Sequence, residues 1–147
     1  MVKPGEVWRH DAYYLDGDEF KVKYLLALAV LSDGDIVYRL LTSRQLDRPR
    51  APMCYHGSPY PGFFLGVLGK ELQKESWLDL RECEDMDSYA FGQLFREGLM
   101  ACVGPISGEQ FSVALDCAAN ADDTTKRQRN AILASKSSIR PTSSNWL

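Results

Sequence analysis

KYLLALAVLSDGDIVYRLLTS, residues 23–43, reads as two strands and the turn that folds them together. Residues 23–30 form an almost continuous apolar run of strand length. Ser32-Asp33-Gly34-Asp35 ends it, and the Asp-Gly pair favours the positive backbone angles of a tight hairpin turn. Residues 36–43 must then return antiparallel beside the first run. Side chains alternate along a strand, so Ile36, Tyr38, Leu40 and Thr42 share one face, and Arg39 and Ser43 share the other.

Working outward, Glu6-Val7-Trp8 follows Pro4-Gly5 as a short strand start, and DAYYLDGDEF, residues 11–20, has the character of a long loop carrying exposed aromatics. Beyond the hairpin, DRPRAPMCYHGSPYPG, residues 47–62, is broken by prolines. Residues 63–68 and 76–83 read as further strands, with Leu78 and Leu80 inward against Asp79 and Arg81 outward. Short strands joined by hairpin-length turns predict a small curled sheet.

The second half turns helical. Asp87 can cap a helix whose stripe is Phe91, Leu94 and Phe95, with Gly98 at its stop. Residues 99–103 add a strand. Ser107 and Gln110 have capping-box spacing, flanked by a hydrophobic staple of Ile106 and Phe111, so a helix starts there. Its stripe of Phe111, Ala114, Leu115 and Ala118 lies on the sheet, with Cys117 beside it. TTKRQRNAILASKSSI, residues 124–139, makes a basic, weakly apolar helix that stops before Pro141. The expected organisation is a domain over residues 1–121, a basic helical appendage over 122–140 and a flexible tail over 141–147.

A chain of 147 residues with 45% hydrophobic and 25% charged content suits one soluble domain with one core. No stretch approaches the roughly 18 apolar residues of a membrane span, and the N-terminus lacks the apolar run of a secretion signal, so a cytoplasmic protein without membrane contact is expected. The formal net charge of −3 excludes a global attraction to nucleic acid. Arg39, Arg44, Arg48 and Arg50 nevertheless cluster with only Asp47 among them, which makes a local basic face. Cys54, Cys83, Cys102 and Cys117 are widely spaced without a C-x-x-C pair and read as free, mostly buried thiols. Cys54-x-His56 supplies at most two metal ligands with no second pair to complete four, so no metal or cofactor is expected. It makes a poor catalytic dyad for want of an orienting third group.

The order of these pieces resembles the MazF/PemK family of toxin ribonucleases from toxin–antitoxin pairs. The similar stretches are KPGEVW, KYLLALAV, IVYRLLTS, GVLGKELQKESWLDLREC and GLMACVGPISGEQF, within residues 3–121. The resemblance implies a mainly β fold with α elements (α+β): a small, strongly bent SH3-like antiparallel barrel with a few helices, usually a homodimer. It also implies metal-independent cleavage of single-stranded RNA by attack of the ribose 2′-hydroxyl on the neighbouring phosphate, and a small antitoxin partner laid across the cleft.

The family carries an arginine, usually followed by proline, at the opening of the second strand, and a threonine or serine at the end of the third. Here the first position is Lys23-Tyr24, and Thr42 and Ser43 fit the second. Lys23 then neutralises charge on the phosphate, as a point donor lacking the planar fork of arginine, while Thr42 or Ser43 binds phosphate or assists proton transfer. The plainer reading of all three is a solvated charge and two strand-end hydroxyls that satisfy a turn. Arg39 and Arg44 are placed to track an RNA backbone or to be simply solvated. His10, Tyr13 and Tyr14 can stack on unpaired bases or pack among themselves, and His56, with Tyr55 and Tyr60, borders the same cleft. A non-catalytic RNA- or protein-binding module on the same barrel is the alternative.

Overall fold

Two adjacent strands that are apolar on both faces need cover on both sides, and the rest of the chain supplies it. The computed structural model describes residues 1–15, 17, 19–44, 47–50, 54–57 and 59–139. In chain order the elements are β1 (Glu6–Leu15), β2 (Glu19–Val30), β3 (Ile36–Thr42), β4 (Cys54–Tyr55), β5 (Gly62–Gly66), β6 (Ser76–Asp79), α1 (Ser88–Arg96), β7 (Met100–Pro105), α2 (Gly108–Ala119) and α3 (Lys126–Ser137). The strands form one antiparallel sheet in the order β4-β5-β6-β3-β2-β1-β7. Its edges, β4 and β7, do not pair with each other among the described residues. The architecture is therefore mixed α+β on an unclosed seven-stranded sheet, and strand pairing does not close the expected barrel.

The alternation read from residues 23–43 decides which core each side chain enters. Leu26, Leu28, Val37 and Leu41 meet Phe63, Leu78 and Leu80 and the α2 residues Phe111, Ala114 and Leu115 in one core. Leu25, Ala27, Ile36 and Tyr38 meet Trp8, Met100 and Phe91 of α1 in the other. Leu78 and Leu80 are both fully buried, as the sequence pattern predicts.

Residues 11–15 and 19–20 are strand rather than the expected loop. β1 and β2 continue past the bulge between His10 and Tyr13, pairing Tyr13 with Lys21 and Tyr14 with Phe20, and Gly17 turns the chain at φ 81°. The reason is cross-strand packing: the Tyr14 and Phe20 rings meet edge-to-face 5.4 Å apart, and such pairs stabilise a ladder that composition alone reads as loop.

Asp87 caps α1 by accepting from the Ala90 N–H at 2.9 Å. Ser107 caps α2 by accepting from the Gln110 N–H at 3.2 Å. The reciprocal arm of that box is not made, because the Gln110 amide instead donates to Leu65 O at 2.7 Å and fastens α2 to β5. A complete capping box occurs at α3, between Thr125 and Gln128. That helix also buries Ile132 fully in the same core as Leu115. No helix among the described residues is long and apolar enough to cross a membrane.

Four free thiols were expected, and two are found. Cys54 of β4 and Cys117 of α2 are joined by a disulfide with Cα atoms 5.5 Å apart, leaving Cys83 and Cys102 free. A separation of 63 residues gives no local signal of such a pairing. Closing a loop of that length removes about 4 kcal/mol of chain entropy from the unfolded state. Purified without reductant and then denatured, the chain should react with a thiol reagent at two cysteines. Four reactive thiols would show that the pair is not bonded in solution.

Candidate functional site

The double cover runs out at one end of the β2–β3 pair. Along β2 the side chains pass from exposed at residues 19–22 through half-buried Lys23 and Tyr24 to buried at Leu25. Leu25 pairs with Leu40, so the end of β3 that carries Thr42 lies beside the polar part of β2. A cleft of about 420 Å³ opens there. Lys23, Thr42, Ser43 and Arg44 all line it, together with Tyr24, Glu71 and Lys74. The three residues predicted to carry chemistry thus share one cleft. A second lobe of about 280 Å³ again includes Lys23, Thr42 and Arg44 and adds Tyr60, Asp79 and Arg81.

Thr42 Oγ1 accepts from the Arg44 N–H at 3.3 Å, as strand-end hydroxyls commonly do. That bond uses the oxygen as acceptor and leaves the hydroxyl proton to donate. On the other wall, Tyr24 Oη donates to Glu71 Oε1 at 2.8 Å, and Arg9 Nη1 donates to both Glu71 oxygens at 2.8 and 3.0 Å. The Arg9 hydrogen bond, followed by that from Tyr24, holds the Glu71 carboxyl below its ordinary range. Burial, then the bond to Glu71, pushes the Tyr24 phenol up, so it keeps its proton at neutral pH.

Both carboxylates of the two lobes are therefore already engaged, Glu71 by Arg9 and Asp79 by Arg81. Lys23, Arg44 and Lys74 have no ion-pair partner among the described residues. An excess of positive charge with two hydroxyls beside it is an arrangement able to hold an anion.

The other predicted residues scatter. Arg44 is in the cleft, whereas Arg39 is fully buried, which corrects the expectation that it tracks RNA. Its strand parity was read correctly, but that face points at α3. There Arg39 donates to Tyr38 O at 2.8 Å and to Gln128 Oε1 at 3.2 Å, and its Nε has no hydrogen-bond partner. His10 is also buried, its Nδ1 accepting from the Ala12 N–H at 3.2 Å and its ring edge-on to Tyr13. Tyr13 pairs hydroxyls with Tyr38 at 3.1 Å, Tyr14 packs on Phe20 outside the cleft, and His56 is exposed but lines neither lobe. The inward packing of His10 and Tyr13 is the plainer of the two readings offered for them.

Sequence reasoning missed Arg9, Tyr24 and Glu71. The 62-residue separation of Arg9 from Glu71 carries no local signal. Strand parity predicts Asp79 and Arg81 outward, but only Arg81 is open: Asp79 is 7% exposed because Arg81 folds back over its carboxylate. A larger groove, about 880 Å³ against α3, is lined mainly by apolar groups, and its cation Arg127 is paired with Asp33 and Asp85. Comparison with protein-family models, curated proteins and solved structures finds no match to this chain.

Two expectations follow from the buried groups. Arg39 carries charge into the core with only neutral acceptors, so Arg39→Met should be neutral or stabilising by up to about 4 kcal/mol in urea unfolding. A loss of stability would show that its bonds to Tyr38 and Gln128 outweigh the burial of its charge. Burial holds the His10 pKa below 6.5, with the nearby Asp11 charge acting weakly the other way. The folded state thus disfavours the proton, and the stability from neutral His10 is present above the unfolded value and lost as pH falls. Between about pH 7 and about pH 5 the wild-type midpoint should fall relative to His10→Gln; parallel midpoints would show that the ring titrates alike in both states.

Proposed function

We propose that this chain is a metal-independent endoribonuclease of the MazF/PemK kind, acting on single-stranded RNA. The observation that carries the reading is that Lys23, Thr42 and Ser43 line one cleft with Arg44 and Lys74, while Glu71 and Asp79 are each held by an arginine. In the reaction the ribose 2′-oxygen gives its proton to water and bonds to phosphorus. The bond to the 5′-oxygen breaks and that oxygen takes a proton, leaving a 2′,3′-cyclic phosphate and a 5′-hydroxyl. Lys23 faces the charge that builds on the phosphoryl oxygens. Thr42 or Ser43 donates to a phosphoryl or leaving oxygen. The same reading carries a bent SH3-like sheet, a homodimer, an antitoxin segment over the cleft and action in the cytoplasm.

A second reading is favoured by two observations. Glu71 is the carboxylate lining the first lobe, and its bonds to Arg9 and Tyr24 weaken it as a base. Lys23 also lacks the fork of an arginine. Both suit a module that binds RNA through its phosphates without cutting it.

Purified protein should cleave a long single-stranded RNA in the presence of chelator and leave cyclic-phosphate ends. Lys23→Ala and Thr42→Ala should each lower the rate by about 100-fold or more, the usual loss when a group facing transition-state charge is removed. Binding without cleavage at high protein concentration would select the second reading, and neither binding nor cleavage would remove both.

A further inference from the structure

We propose that Arg81 forms a second phosphate subsite, so that the ligand is a polynucleotide strand crossing the Lys23–Thr42 ridge from one lobe to the other. This inference rests on the RNA-binding reading and holds whether or not the strand is cut. Lys23, Leu41, Thr42 and Arg44 line both lobes, which makes them two halves of one path. A ligand with a single phosphate occupies one lobe, whereas a strand presents successive phosphates to both.

The Arg81 guanidinium is held in place before any ligand arrives. Its Nη2 and Nε donate to the two Asp79 oxygens at 2.7 to 3.2 Å, and its backbone N–H donates to Asp79 Oδ1 at 2.9 Å. Its carbon lies 3.7 Å from the centre of the Tyr60 ring. Asp79 is 7% exposed, so the anchor is buried, while the Arg81 side chain is 56% exposed. Nη1 has no hydrogen-bond partner among the described residues and remains to donate. A planar group whose orientation is already fixed loses little entropy when it grips an oxyanion.

The wall behind this lobe adds charge. Arg48 is 3% exposed and lies 4.2 Å from the same Tyr60 ring. It donates to Arg44 O at 2.7 Å, Tyr55 Oη at 3.2 Å and Tyr60 Oη at 2.6 Å, all neutral acceptors. A buried cation without a carboxylate partner is unfavourable in the free protein, and a phosphate in the neighbouring lobe offsets its charge. Lys23, Arg44 and Arg81 thus line this lobe with one carboxylate, Asp79, which Arg81 already occupies, and Arg48 lies against the Tyr60 ring that walls it.

The test measures binding of a labelled eight-nucleotide single-stranded RNA, 2′-O-methylated throughout so that it cannot be cut, across a salt series. It compares wild type, Arg81→Ala, Arg81→Gln and a control, Arg96→Ala, whose site is exposed on α1. Arg81→Gln keeps a hydrogen bond to Asp79 within reach and serves if the alanine variant fails to melt like wild type. Both Arg81 variants should bind about tenfold more weakly, and the slope of log affinity against log salt should shrink by about 0.7, the value for one lost phosphate contact on a single strand. Arg96→Ala should leave the slope unchanged. A nucleoside monophosphate, too short to span both lobes, should bind weakly to all four proteins. If wild type binds the RNA but the Arg81 variants keep its slope, or if Arg96→Ala lowers the slope equally, the subsite is overturned while RNA binding stands. If wild type does not bind the RNA at low salt, the RNA reading fails and the subsite with it.

Discussion

Burial of β2 and β3 on both faces is the constraint from which the other features follow. Leu25 to Leu28 and Ile36 to Tyr38 are all nearly inaccessible, with alternate side chains entering opposite cores. Covering two faces takes more than one helix, so α1 serves one core while α2 and α3 serve the other. The same requirement draws Arg39 inward. It occupies a position whose neighbours two residues away, Val37 and Leu41, belong to the core beneath α2 and α3, and a side chain there has nowhere else to go. Its guanidinium is met by Tyr38 O and by Gln128, the residue that also completes the cap of α3.

The cleft is the complement of that burial. Where cover ends, at Lys23 and Tyr24 on β2 and at Thr42 on β3, the side chains are polar and face an opening. Whether such an opening attracts anions depends on how its charges are paired, not on the net charge of the chain. This chain carries −3 overall, yet both carboxylates of the cleft are bound to arginines. The lysines and Arg44 beside them then set the local potential, which an anion senses within about a Debye length, near 8 Å in physiological salt.

Much of the fold was legible. The hairpin around Asp33-Gly34, the caps at Asp87 and Ser107 and the inward parity of Leu78 and Leu80 rest on local chemistry that survives in the folded chain. The candidate site was legible only as residue types at strand ends: Lys23, Thr42, Ser43 and Arg44 came together, while Arg39, His10 and His56 did not. The strand register over residues 11–20 was missed because it depends on Tyr14 meeting Phe20 across the ladder, and the Cys54–Cys117 bond because it joins points 63 residues apart.

By itself the sequence determined the periodicities: which residues alternate, where the chain turns, and where helices start. Those properties arise from backbone geometry and from side chains bonding to neighbours a few positions away. Only the tertiary structure decided which helices cover each face of β3, which arginines keep a free edge, and which carboxylates stand against them. Arg9 meeting Glu71, the Tyr60 ring lying against Arg81, and Arg48 buried behind the cleft are contacts between separate segments. Their charges are balanced or left over according to packing, and packing is a property of the assembled sheet rather than of any one segment.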